Sequence, residues 1–234
     1  MSAQRYLEAV RRQFGYLGTW LPNTPIKLGD VGLYTASGFR VETSLRRLGV
    51  SVRSRPAGVA GDLSHTSVAS VKASAGLKGV PALSLGFGKA GGFVFQATGC
   101  TVKQLDDLDT VGVELVNLFQ QSIWKAGWVL VDTVVEAAKT TILVSQSDDA
   151  SVDLTGPTAI SGLNEASISV TGQAGSVLQF LGQPGLTPLF RGRRVSRGFL
   201  GLFADKVEVM RGIDDDLPPT EFAEVDALDF EDEL

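Results

Sequence analysis

Hydrophobic and polar residues alternate with a period of two along much of the chain, a pattern typical of β-strands with one buried face. The most regular example runs from Leu63 to Gly99. Its apolar positions include Val71, Ala73, Ala75, Leu77, Leu83, Leu85, Phe87, Phe93, Phe95 and Ala97. Seven glycines lie between Gly76 and Gly99, and they weaken the strand register because glycine has no side chain to pack. The segment therefore predicts amphipathic strands in a sheet that can rearrange.

Two segments have helical periodicity instead. Ser2 to Phe14 is apolar on one face and carries arginines elsewhere, which predicts an amphipathic helix that either packs on the body or faces a membrane. Asp106 to Trp124 begins with acids, which favour a helix N-terminus, and continues with an apolar stripe. The stripe consists of Val111, Leu115, Leu118, Phe119 and Ile123.

The remaining pattern predicts further strands and the turns between them. β-Branched residues from Trp128 to Ser147 favour long strands, with a helix over Val134 to Lys139 as the alternative. Ile26 to Tyr34 and Phe39 to Thr43 predict a hairpin. Ser44 is a candidate cap for the short turn that follows the hairpin.

Proline and glycine mark the expected breaks. Arg53 to Gly61 is rich in both, which predicts a loop, and Pro184 and Pro188 are expected to interrupt the apolar segment that begins at Ser176. Short strands are also predicted over residues 151–154, 166–171, 199–203 and 206–210. Together these elements predict an α+β fold, with a twisted, mainly antiparallel sheet and a few flanking helices.

Charge divides the 234-residue chain into two parts. Residues 213–234 hold ten acids and no Lys or Arg, which leaves 16 acids against 21 bases in residues 1–212. This predicts a basic domain over 1–212 and an acidic tail over 213–234. The tail is either solvated and disordered or docked on the body as a mask. Its apolar residues, which favour docking, are Leu217, Phe222, Val225, Leu228 and Phe230.

The residues that most enzymes need are scarce in this chain. His65 is the sole histidine and Cys100 the sole cysteine, so neither a histidine pair for a metal nor an internal disulfide is available. The sequence Gly86-Phe-Gly-Lys-Ala-Gly91 fits a dinucleotide-binding motif, but strand-type residues follow where a helix is needed. The acids Asp106 and Asp107, like Asp148 and Asp149, are explained by a helix start and a turn. We therefore expect no catalytic site, no cofactor and no metal.

The N-terminal residues and the lengths of the apolar runs bear on localisation. Residues 1–14 carry three arginines and no apolar run, so we expect no signal peptide. No run approaches about 18 uninterrupted apolar residues, so a permanent transmembrane helix is not expected.

One basic cluster follows Phe190 and precedes Phe199. It consists of Arg191, Arg193, Arg194 and Arg197. Such guanidinium groups bind phosphates of lipid or nucleic acid, or pair with the acidic tail, and the alternative is a solvated strand edge. Nucleic acid is disfavoured because the body has an excess of only five bases and no long basic stripe.

Several segments, in this order, resemble the pore-forming domain of the gasdermin family, particularly its short bacterial members. They are Lys27 to Gly32, Val68 to Thr98, Val102 to Leu118, Val129 to Ser147 and Ser176 to Leu189. The resemblance covers most of residues 20–210. This chain lacks the N-terminal cysteine that bacterial relatives use for lipidation, because Cys100 is its only cysteine.

The resemblance implies a non-enzymatic protein that forms oligomeric pores after proteolytic removal of an inhibitory C-terminus, in cell death or antiviral defence. It implies a cytoplasmic resting state, an inner-membrane active state, and anionic lipids and an activating protease as partners. The expected membrane-inserting residues are Val71, Leu77, Leu83, Leu85, Phe87, Phe93 and Phe95. In the tail, the expected cleavage region contains Arg211, Asp214, Asp215 and Asp216.

Spanning a membrane takes about 9–11 alternating residues per strand, and Val68 to Leu77 and Ala82 to Gly92 have that length. Only a closed barrel satisfies the backbone groups of such strands in lipid, so a pore requires a homo-oligomer. The alternative function is a soluble, non-catalytic interaction module with an acidic tail that recruits a partner. Such a module would bind a peptide at a sheet edge.

Overall fold

The computed structural model describes residues 2–20, 25–35, 37–67, 71–75, 82–155, 169–196 and 221–224. The helices in these ranges are α1 (Ser2–Phe14), α2 (Leu108–Gln120) and a short 3-10 helix (Leu45–Leu48). The strands are β1 (Leu17–Gly18), β2 (Asp30–Thr35), β3 (Gly38–Ser44), β4 (Ser54–Thr66), β5 (Val71–Ala75), β6 (Ala82–Phe87), β7 (Phe93–Leu105), β8 (Trp128–Ser145), β9 (Ala150–Thr155), β10 (Ser169–Ala174), β11 (Val177–Ser196) and β12 (Glu221–Glu224). Most strands pair antiparallel in an open, twisted sheet, which confirms the predicted α+β class.

The described strands form two sheets. The larger has eight strands, with the order β1-β11-β8-β2-β3 along its main path. Three further strands join it, because β12 pairs with β11, while β7 pairs with both β8 and β4. The smaller sheet has four antiparallel strands in the order β10-β9-β6-β5.

The chain divides into two compact units. The first contains Met1–Pro25, Gly58–Val102 and Val135–Leu189. On one side of β7, Phe93 packs edge-on against Tyr6 of α1 with the ring centroids 5.2 Å apart. On the other side, Val94 belongs to an apolar cluster with residues of the smaller sheet. Because neighbouring residues of a strand point to opposite faces, β7 lies between α1 and the smaller sheet.

The second unit contains Ile26–Ala57, Lys103–Val134 and Phe190–Leu234. Helix α2 buries Val111, Leu115 and Leu118 in an apolar cluster that includes Val31 of β2 and Leu130 of β8. Its first turn is capped by Asp107, which accepts a hydrogen bond from the Thr110 amide at 3.2 Å. These contacts confirm the predicted helix and its acidic start. The helix ends at Gln120 rather than near Trp124, and Ile123 of the predicted apolar stripe is exposed.

Helix α1 has the bounds that the sequence predicts, and its apolar residues Tyr6, Leu7 and Val10 are buried. The hairpin of β2 and β3 is also found, although its first strand begins at Asp30 rather than Ile26. Ser44 precedes the 3-10 helix, but its side chain makes no capping hydrogen bond.

Two predictions about the strands are wrong, whereas the long strand favoured over Val134 to Lys139 is confirmed as part of β8. The expected loop over Arg53 to Gly61 lies mostly in β4. Strand β11 continues through Pro184 and Pro188 without a break. Proline is tolerated where its missing amide is not needed, and the Pro188 carbonyl still accepts a hydrogen bond from the Thr19 amide at 3.2 Å. The strands predicted over 199–203 and 206–210 lie outside the described residues.

Candidate functional site: the folded-back sheet and the arginine strand

The smaller sheet repeats the strand order of the larger one within the first unit. In the larger sheet β11 pairs with β8, β8 with β7 and β7 with β4, while the smaller sheet has the order β10-β9-β6-β5. Each strand of the smaller sheet also adjoins its counterpart along the chain, as β6 precedes β7 and β9 follows β8. The smaller sheet is therefore the continuation of four neighbouring strands, turned back over one face. We call it the folded-back sheet.

The turns between the two sheets lie side by side and form one line, which we call the crease. Its described residues are Ser67, Gly88–Gly92, Gln146–Asp149 and Gly175–Ser176. Main-chain hydrogen bonds join neighbouring strands up to this line. The Ser67 amide donates to the Phe93 carbonyl at 3.0 Å, the Ser145 amide to Gly92 at 2.9 Å and the Gln146 amide to Ser176 at 2.8 Å.

Glycine is required at one crease position for two reasons. Gly175 has φ of +70°, a conformation that side chains disfavour. A Cβ atom there would also lie 2.7 Å from Ser147 Oγ and 3.0 Å from Ala150. The close approach of these two turns therefore depends on the absence of a side chain.

Two side chains form hydrogen bonds with the backbone of Ala90 in the crease. Arg5 of α1 donates from Nη1 to the Ala90 carbonyl at 3.1 Å. Asp148 accepts from the Ala90 amide at 2.8 Å through Oδ1. We call Arg5, Ala90 and Asp148 the Ala90 clamp. In the sequence, Asp148 is explained as a turn residue and Arg5 does not stand out, because exposed arginines are common.

The two faces of the folded-back sheet differ in chemistry. Leu85, Phe87, Val152 and Leu154 are buried in the apolar cluster between the sheets. That cluster also contains Val94, Leu143, Ala150 and Val177. On the opposite face, Ser84 Oγ donates to Asp153 Oδ1 at 2.6 Å, and both side chains are accessible to solvent. The sheet is thus amphipathic, with its apolar face covered.

The residues predicted to insert into a membrane have different positions in this fold. Leu85 and Phe87 lie in the folded-back sheet, whereas Phe93 and Phe95 lie in β7, where both are buried and contact aromatic residues of α1. Val71 and Leu83 lie on the paired strands β5 and β6, opposite Phe87 and Ala75 respectively. Leu77 lies outside the described residues.

The arginine cluster lies on β11 in the second unit and is split between the two faces of the strand. Arg193 donates from Nε to Asp132 Oδ2, and the two side chains are 11% and 2% exposed. Arg191 is exposed and Arg194 is half-buried, and strand alternation directs Arg194 to the face opposite that of Arg191 and Arg193. Arg197 lies outside the described residues. Sequence reasoning missed Asp132, although a lone acid in an apolar run signals a buried partner.

A segment of the acidic tail pairs with the same part of β11. Strand β12 runs antiparallel to β11, with Glu224 opposite Arg193, Ala223 opposite Arg194, Phe222 opposite Val195 and Glu221 opposite Ser196. The expected cleavage residues Arg211, Asp214, Asp215 and Asp216 lie outside the described residues.

His65 and Cys100 have environments that explain them without catalysis. His65 lies on β4 rather than in a turn, and its ring contacts Phe14 and Phe93 with centroid separations of 6.3 and 5.2 Å. Burial lowers the pKa of His65. Burial, followed by the nearby charge of Asp62, raises the pKa of the Cys100 thiol, so the unreactive protonated form is favoured.

The candidate nucleotide motif is followed by a strand in the structure. The glycine motif ending at Gly91 leads into strand β7, so the helix N-terminus that dinucleotide binding needs does not follow it. Within the described ranges, no three His, Cys, Asp or Glu residues are grouped so as to hold a metal ion. No helix in the part of the chain that the structure describes is long and apolar enough to cross a membrane.

Comparisons with known proteins give a structural likeness but no match in sequence. No protein-family model matches the chain, and no curated protein matches it either. Among solved structures, the chain is similar to one described as the cryo-EM structure of the gasdermin A3 membrane pore, with 12% sequence identity and a TM-score of 0.36. The alignment covers 85% of this chain and 90% of that one. A likeness at this level does not assign the chain to a family.

Proposed function

We propose that the protein forms membrane pores by swinging the folded-back sheet out along the crease, so that its four strands extend those of the larger sheet. The observation that supports this proposal is the strand order shared by the two sheets. Because β10-β9-β6-β5 already has the order of β11-β8-β7-β4, straightening the crease needs no new pairing within the chain. The strands keep their neighbours while the sheet changes direction.

The energetic balance of this motion depends on the solvent. Opening uncovers Leu85, Phe87, Val152 and Leu154, and exposing four such side chains to water costs about 6–12 kcal/mol at about 1.5–3 kcal/mol each. In a bilayer these side chains face lipid, so most of that cost is not incurred. The closed form is therefore favoured in water and the open form at a membrane.

An open sheet would still have unpaired edges. In the folded-back sheet β5 and β10 are the outer strands, and unpaired backbone groups are too costly in lipid. Copies of the chain would therefore pair edge to edge until the barrel closes. Edge-to-edge pairing gives a closed homo-oligomer. The membrane surface that it contacts consists of anionic lipids.

In this proposal the acidic tail keeps the pore-forming body inactive until the tail is released. Residues 213–234 hold the body in its resting, cytoplasmic form, and a protease that cuts between Arg211 and Asp216 releases them. The pairing of β12 with β11 supports the contact that this requires. In the active form the body lies at the inner membrane and carries out no catalysis.

Dye release from anionic liposomes tests the proposal. A specific protease site is placed between Arg211 and Asp216, and in a matched control it is placed after Asp226, beyond β12. We expect release only when the first variant is cut, because only that cut separates β12 from the body. No release from either cut protein would refute pore formation, and equal release from both would refute control by β12.

A second candidate is the soluble, non-catalytic interaction module. It is favoured by the same β12–β11 pairing, which makes β11 a strand that accepts a peptide at its edge. This function predicts a monomer that ignores lipid before and after cleavage. The absence of dye release, together with a monomer in size-exclusion chromatography, would favour it.

A further inference from the structure

Strand β11 has two different edges near its C-terminal end. One edge pairs with β8, where the buried pair of Arg193 and Asp132 also joins the two strands. The other edge, over Arg193–Ser196, pairs with β12 of the acidic tail. The β11–β8 contact is part of the core of the second unit. The β11–β12 contact is made by a separate segment, because residues 197–220 lie between these two strands in sequence.

Charge at the second edge favours an acidic strand. Residues 191–194 carry three arginines, one of which, Arg193, forms an ion pair with Asp132. The strand seated at this edge contributes Glu221 and Glu224, at positions opposite Ser196 and Arg193. In a strand added to a sheet edge, main-chain hydrogen bonds supply affinity, and complementary charge selects the partner.

The contact with β12 is short enough to be exchangeable. Strand β12 has four residues, and each hydrogen bond contributes about 0.5–1.5 kcal/mol net. A contact of this size holds the tail mainly because the tail belongs to the same chain, where attachment gives an effective concentration on the order of 1 mM. A free strand of similar chemistry at a comparable concentration would compete with it.

We infer that the edge of β11 over Arg193–Ser196 is a docking site for an acidic, extended peptide, and that a peptide from another molecule displaces β12 there. Displacement then frees the tail without cutting the chain. This consequence for activation rests on the proposed function, whereas the docking itself does not.

A labelled peptide tests the docking site on the full chain. The probe is a fluorescein-labelled peptide with the sequence of residues 218–229, and its binding is followed by fluorescence anisotropy. It is titrated with the unmodified chain and with a variant carrying Phe222→Pro and Ala223→Pro. Alternate residues of an antiparallel strand donate to the partner, so one of these two prolines removes a ladder hydrogen bond and empties the edge.

The matched control carries Leu228→Pro and Asp229→Pro, beyond β12. We expect the probe to bind the emptied variant about tenfold more tightly than the unmodified chain or the control, because the tethered competitor is gone. Replacing the glutamates of the probe by glutamine should weaken its binding and reduce the salt dependence.

Three outcomes would overturn the inference. The first is no binding of the probe at about 1 mM of the emptied variant, a protein concentration about equal to the effective concentration of the tether. The second is equal affinity of the probe for all three proteins, and the third is equal affinity of the glutamine probe and the original probe. Matching urea midpoints for the three proteins establish that each is folded. No membrane is present, so failure of pore formation would leave this result standing, and failure here would leave the dye-release result standing.

Discussion

Asp132 is the only charged residue in the apolar run from Trp128 to Val135. A buried charge is costly unless it is paired, and Arg193 on the neighbouring strand supplies the partner. The arginine cluster therefore does not act as a unit, because the guanidinium of Arg193 holds β11 to β8. The sequence identifies the cluster, but it does not reveal which arginine has a carboxylate beside it.

The first prediction concerns this ion pair. Asp132→Asn should lower the free energy of unfolding by about 3–5 kcal/mol, because it leaves a buried guanidinium without its counter-charge. Urea denaturation followed by tryptophan fluorescence measures the loss. The double variant Asp132→Asn, Arg193→Met should recover most of it. A single variant as stable as the unmodified chain would contradict this role.

The second prediction concerns His65. Burial lowers its pKa in the folded protein, so the folded state binds fewer protons than the unfolded state near the ordinary histidine pKa of about 6.5. The stability that this group contributes is present above that pH and is lost as the pH falls through it towards the lower folded value. The free energy of unfolding should therefore decrease between pH 7.5 and pH 5.5, the window about one unit either side of the ordinary pKa.

The control for this pH dependence is His65→Phe, which keeps an aromatic ring between Phe14 and Phe93 but does not titrate. Carboxyl groups contribute to acid sensitivity in both proteins, so the difference between them isolates His65, the sole histidine. Urea midpoints across the pH range should fall more steeply for the unmodified chain. Parallel curves would rule out the proposed titration.

At the scale of elements, local sequence pattern is enough to predict the helices and strands wherever the hydrophobic periodicity is regular. The bounds of α1, the acidic start of α2 and the strand character of β8 were predicted from spacing and residue type. The failures were at β4 and β11, where proline and glycine suggested breaks. A strand tolerates proline at a position where no neighbouring strand needs its amide. Which amides have a partner depends on tertiary pairing, so local pattern could not reveal it.

The third prediction concerns the Ala90 clamp. Arg5→Ala and Asp148→Ala each remove one hydrogen bond to Ala90, at a cost of about 0.5–1.5 kcal/mol. Local opening of the crease should then be up to about tenfold more frequent. Hydrogen exchange at the Gly91 amide, which donates to the Ser145 carbonyl, reports this opening.

Arg12→Ala is the matched control for the clamp, because Arg12 is an exposed arginine on the same helix. It removes the same charge, so a general electrostatic effect would also appear there. Exchange at Gly91 that is faster in the control than in Arg5→Ala would contradict the assignment of the clamp.

At the scale of the whole molecule, the sequence predicted the α+β class and an amphipathic, glycine-rich sheet. It did not predict that this sheet turns back along a crease, because strand order is decided by partners that are distant in sequence. Gly91 and Gly175 mark two of the turns with positive φ, but other glycines in the chain have the same conformation. The shared strand order could be found only in three dimensions.

The fourth prediction concerns the open state of the proposed pore. With the apolar face towards lipid, the face that carries Ser84 and Asp153 lines the lumen. Asp153→Lys should therefore shift ion selectivity towards anions, measured as a change in reversal potential across a planar bilayer. Glu114→Lys makes the same charge change on α2 and should have no such effect. Equal reversal potentials for Asp153→Lys and the unmodified protein would contradict this orientation of the sheet.

The crease also affects the barrier to the proposed opening of the folded-back sheet. In most rearrangements of β-proteins, strands must separate and find new partners, and the broken hydrogen bonds set a high barrier. Here each ladder of the folded-back sheet is compatible with both arrangements. The main obstacle in water is then the exposure of the apolar face of the folded-back sheet. An amphiphile that binds this face would lower the barrier to opening without unfolding the chain.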